Sequence, residues 1–62
     1  MIRRYMVANI YIDSFLERVS GFAGMEIVSI LRVPESHYYE IFVKAGNRSH
    51  ELLSNIIIEN FP

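Results

Sequence analysis

Two apolar runs, residues 25–33 and 37–45, flank Pro34-Glu35-Ser36 and are rich in Ile, Val, Phe and Tyr. These side chains fit a pleated surface, and proline presets the φ of a turn, so the stretch predicts a β-hairpin. A three-residue loop would pair Val33 with His37, Leu31 with Tyr39, Ser29 with Ile41, Ile27 with Val43 and Met25 with Ala45. On the other face it would pair Arg32 with Tyr38, Ile30 with Glu40, Val28 with Phe42 and Glu26 with Lys44. That register sets an opposite-charge pair and an Arg–Tyr pair against each other, whereas a slip of one residue separates them. The first face is apolar and is the expected core. The second mixes large apolar groups with charges, where a solvated antiparallel face normally reads polar.

Upstream, YMVANIYI over residues 5–12 alternates as a strand does. Met6, Ala8, Ile10 and Ile12 are the expected core set, and Tyr5, Val7, Asn9 and Tyr11 the set that extends the mixed face. Ser14 and Glu17 have capping-box spacing, which predicts a short helix over 14–22 with Phe15, Leu16, Val19 and Phe22 as its apolar side. Gly21 and Gly24 favour a stop there, since glycine supplies the positive φ that follows a helix. Downstream, Asn47 or Ser49 would cap a second helix running to about Asn60. Its apolar side would hold Leu52, Leu53, Ile56, Ile57 and Phe61. The β-branched run Ile56-Ile57-Ile58 opposes this. A rival reading ends the helix near Ser54 and makes 56–61 a short fourth strand.

The predicted order is β-α-β-β-α: a single small α+β domain over 1–62, a two-layer sandwich with both helices on one side of a three-stranded, mostly antiparallel sheet. A crossover through the first helix would place strand 1 beside strand 3 and parallel to it. The element order resembles a truncated ferredoxin-like fold, a likeness of architecture that implies no function.

Composition sharpens the question of what covers the mixed face. The chain has 62 residues and no cysteine, so neither a disulfide nor a thiolate metal site can staple it. It is 52% hydrophobic, apolar for so small a domain, and association with another surface is one remedy. Net charge is −1, which steers the chain towards neither nucleic acid nor anionic membrane. No apolar run approaches the roughly 18–20 residues that span a bilayer, and the N-terminal stretch lacks a signal-peptide core. The expectation is a cytoplasmic protein, with Asn47-Arg48-Ser49 a chance match to a glycosylation acceptor.

Candidate chemistry is thin. His37 and His50 have no second ligand at helical spacing and are expected to be exposed or capping residues. The carboxylates are scattered singly, no serine sits in a nucleophile elbow, and no glycine-rich loop cradles phosphate. No enzyme, cofactor or metal is expected. The expected function is a non-enzymatic protein-interaction module acting through Tyr5, Val7, Tyr11, Val28, Ile30, Arg32, Tyr38 and Phe42. Its partner would be another protein or a second copy, as for a small inhibitor, antitoxin, adaptor or regulatory subunit. The alternative is single-stranded nucleic-acid binding, with Tyr5, Tyr11, Tyr38 and Phe42 stacking bases and Arg3, Arg4, Arg32 and Lys44 on phosphates. Glu26 and Glu40 on the same surface oppose it.

Overall fold

A computed structural model describes the backbone of residues 1–60 and the side chains of residues 1–56. Strand β1 is Ile2–Ala8, helix α1 Ile12–Ser20, strands β2 and β3 Glu26–Arg32 and Tyr38–Lys44, and helix α2 Asn47–Asn60. The sheet order is β1-β3-β2, with β3 antiparallel to both neighbours. Strand β1 thus lies beside β3, as expected, but antiparallel to it rather than parallel. The α1 crossover joins two strands of the same direction, and β3 fills the gap between them. This is the split arrangement of a truncated ferredoxin-like fold.

The core lies on one side of the sheet. Tyr5, Val7, Ile41 and Val43 from the strands meet Phe15 and Val19 from α1 and Leu53 from α2. Both helices therefore cover the same sheet face. Phe15, Ile41 and Leu53 are fully buried, each contributing about 1.5–3 kcal/mol relative to an exposed side chain.

Alternation is present in β1 but runs opposite to the expectation. Tyr5 and Val7 point into the core, while Met6 is exposed. Both period-2 sets of this strand are apolar, so pattern alone does not choose between them. The strand also stops at Ala8, because Asn9–Tyr11 turn into a 3-10 helix that runs straight into α1. Ile10 is consequently 78% exposed instead of continuing a core row. The early turn moves the helix start to Ile12, with Tyr11 at the cap position and no side-chain cap. Ser14 then falls inside the first turn, and the expected capping box does not form. The apolar side of α1 is as read: Phe15 and Val19 are buried, with Leu16 and Phe22 half-buried. After the helix it is Gly24, at φ +79°, that supplies the left-handed residue.

The hairpin register is as predicted only at the end far from the turn. Glu26 pairs with Lys44 and Ile27 with Val43; beyond a bulge at Val28 the partners become Ser29–Phe42, Ile30–Ile41, Leu31–Glu40 and Arg32–Tyr39. The loop is one residue longer than expected. Ser36 Oγ donates to Val33 O at 3.0 Å and accepts from Tyr38 N–H at 3.1 Å. Val33 N–H then donates to Tyr38 O at 3.1 Å, while the His37 carbonyl accepts Asn9 N–H at 2.7 Å. The extra loop residue shifts the register by one, and the extra residue at Val28 shifts it back.

Helix α2 runs through the β-branched stretch, so 56–60 is not a fourth strand; Phe61 lies outside the described residues. Its inward side carries His50 and Leu53, with Ile56 half-buried and Leu52 45% exposed. The side chain of Ile57 lies outside the described residues. The first turn closes with His50 N–H donating to Gly46 O at 3.1 Å, which puts Gly46 at the cap. His50, expected to be an exposed or capping residue, is completely buried. Its Nδ1 is 2.7 Å from Tyr5 Oη, and its Nε2 is 3.0 Å from the carbonyl of Met1. That carbonyl also accepts Ala45 N–H at 2.9 Å, tying the start of β1 to the end of β3. His37 is exposed, as expected.

Candidate interaction face of the sheet

The opposite side of the sheet has no helix over it among the described residues. Antiparallel partners share a face, so the pairings define this surface row by row. Ile2, Arg4, Met6 and Ala8 of β1 stand opposite Lys44, Phe42, Glu40 and Tyr38 of β3. On the other flank Glu26 faces Lys44, Leu31 faces Glu40, and the bulge sets both Val28 and Ser29 against Phe42.

The centre of this surface is apolar and half wet. Ile2, Met6, Val28, Leu31 and Tyr38 are 54%, 43%, 50%, 54% and 47% exposed, and Phe42 is half-buried among them. Arg4 Nη1 reaches diagonally to Glu40 Oε2 at 3.2 Å and neutralises the two charges nearest the middle. With Arg4 well exposed, that pair stabilises by about 0.2–1 kcal/mol at most. Glu26 and Lys44 face each other at the far end. The surface is therefore greasy inside with self-compensated charges.

The structure gathers some of the expected interface residues here and removes others. Val28, Tyr38 and Phe42 are on the face. Tyr5 and Val7 are in the core, and Tyr11 packs half-buried against it. Ile30 and Arg32 are exposed, but the bulge turns them to the helix side, opposite Ile41 and Tyr39. Ile2, Met6 and Leu31 are on the face although the sequence reading did not place them there. Met6 and Leu31 follow from the inverted β1 alternation and the bulge. No local signal announces either one.

The four-ring platform of the nucleic-acid reading is reduced to Tyr38 and Phe42. Of its four cations, Arg3 and Arg32 are on the helix side and Arg4 is paired with Glu40. Among the described residues no three His, Asp or Glu side chains converge as metal ligands, and no helix is long and apolar enough to cross a membrane. Compared with protein-family models, curated proteins and solved structures, the chain matches none.

Proposed function

We propose that this chain is a non-enzymatic protein-interaction module that associates through the uncovered sheet face. It would serve as a small inhibitor, antitoxin, adaptor or regulatory subunit, with the cytoplasm as its setting. The observation that supports this is the cluster of Ile2, Met6, Val28, Leu31, Tyr38 and Phe42 on one side of a sheet whose other side already holds both helices. Contiguous apolar patches rimmed by polar groups mark interaction sites.

Size limits the strength of the contact. Three strands of seven residues measure roughly 14 by 24 Å, a face of about 340 Å². A stable interface takes about 800 Å² from each partner. Association through this face alone is therefore weak, and a tight complex recruits more of the molecule.

The test is Phe42→Glu combined with Met6→Glu. Both residues are outside the core, so the variant folds, and amide NMR spectra report that directly. The expected result is loss of concentration-dependent association by light scattering, or of binding to a partner found for the wild type. Association unchanged in a folded double variant would remove the reading.

A further inference from the structure

The recruited surface has a definite chemistry at one margin of the sheet. Strand β2 is an edge strand, and among the described residues its Ile30–Arg32 end is exposed on both faces, whereas Ile27 further along packs against the core. Ile30 stands opposite Ile41, yet Ile41 is fully buried while Ile30 is 41% exposed. Leu31, on the other face of the same strand, is 54% exposed. Strand β1 is also an edge, but its helix side is covered: Tyr5 and Val7 are 9% and 1% exposed.

The backbone decides what fits beside β2. Val33 N–H donates to Tyr38 O, which makes 33/38 a hydrogen-bonded pair. Bonded pairs alternate along an antiparallel ladder, so 31/40 and 29/42 are the next ones. The N–H and C=O groups of Ile30 and Arg32 are then directed away from β3, to the open edge. Groups in that array are matched by another extended backbone.

We infer that the outer edge of β2 receives an extended strand from a partner protein, antiparallel to β2, with an acidic residue followed by two apolar ones. The inference deepens the interaction reading above and rests on it for the existence of a partner. The acidic residue faces Arg32, the next faces Leu31 on the open face, and the third faces Ile30 on the helix side. The partner's acidic and second apolar residues hydrogen-bond to Arg32 and Ile30 through their backbones. A second copy of this strand is a poor occupant. Antiparallel self-pairing about Ser29 would match Glu26 with Arg32 twice, but the Val28 bulge puts these two on opposite faces. The register that keeps faces matched, centred on Leu31, sets Arg32 against Ile30 and gives it no acidic neighbour.

The probe is a capped peptide, Thr-Glu-Val-Ile-Thr, titrated into the labelled protein and followed by amide NMR. The expected result is saturable shifts and exchange protection at the Ile30 and Arg32 amides. N-methylation of the peptide's Glu and Ile amides abolishes binding, whereas N-methylation of its Val amide, which points away, does not. Arg32→Glu weakens binding about fivefold, and replacing the peptide's Glu by Lys restores it. No binding at millimolar peptide, indifference to which amide is methylated, or shifts centred on Met6 and Phe42 would each overturn the inference. The two readings fail separately. Edge binding that survives in Phe42→Glu while association never depended on Phe42 removes the face and keeps the edge. Phe42-dependent association without peptide binding does the reverse.

Discussion

Tyr5 Oη lies 2.7 Å from His50 Nδ1, joining the middle of β1 to the first turn of α2 across 45 positions of sequence. Nε2 of the same ring faces the Met1 carbonyl, which only accepts, so the ring proton of the singly protonated imidazole is on Nε2 and Tyr5 donates to Nδ1. Tyr5→Phe leaves Nδ1 buried without a donor and should destabilise the chain by about 1–3 kcal/mol in urea unfolding. Long-range ¹⁵N–¹H correlation should show the Nε2–H tautomer. An Nδ1–H tautomer, or a Tyr5→Phe variant as stable as wild type, would show that the two residues are not joined as described.

Glu35 has φ +58° in an exposed turn, a conformation that favours glycine and is tolerated by asparagine. The left-handed backbone costs a side-chain-bearing residue about 1–2 kcal/mol, partly offset in glycine by its freer unfolded chain. Glu35→Gly and Glu35→Asn should each raise stability by about 0.5–1 kcal/mol, and Glu35→Val should lower it. Thermal or urea melts of the three variants give the order directly. Equal stability in all three would mean the turn does not hold that φ.

Leu52 and Leu53 are neighbours in sequence with opposite fates in the fold. Leu53 is fully buried and Leu52 is 45% exposed. Leu53→Ala should cost about 2–5 kcal/mol, enough to unfold so small a chain, while Leu52→Ala should stay within about 0.5 kcal/mol of wild type. Comparable losses at both positions would mean that α2 is rotated from its described orientation.

The Arg4–Glu40 ion pair sits on the apolar face but in contact with water. A double-mutant cycle with Arg4→Met and Glu40→Gln should give a coupling below about 1 kcal/mol that shrinks as salt is raised. A larger, salt-insensitive coupling in the free chain would mean that the pair is shielded from water, and hence that the face is covered.

Local pattern was enough for the hairpin, the apolar side of α1 and the existence of α2, because each rests on residues within a few positions of one another. Phe15, Leu16 and Val19 meet the core wherever the helix begins, so misplacing its cap at Ser14 left its buried side unchanged. The mixed, uncovered sheet face was also legible in outline, since β3 puts Tyr38, Glu40, Phe42 and Lys44 on one side in either register.

What stayed hidden depends on contacts between distant segments. Tyr5 and Val7 turn inward although Met6 is as apolar as either. The difference lies in the helix-covered side opposite Ile41 and in His50, a hydrogen-bond partner for the Tyr5 hydroxyl supplied from the far end of the chain. The bulge at Val28 is likewise invisible in β2 alone. It offsets a longer loop, closed by Ser36 and by Asn9 taking the His37 carbonyl. Alternation says that two sides differ; which of them meets the helices is settled by packing volume and by buried polar groups finding partners, and those belong to the assembled molecule.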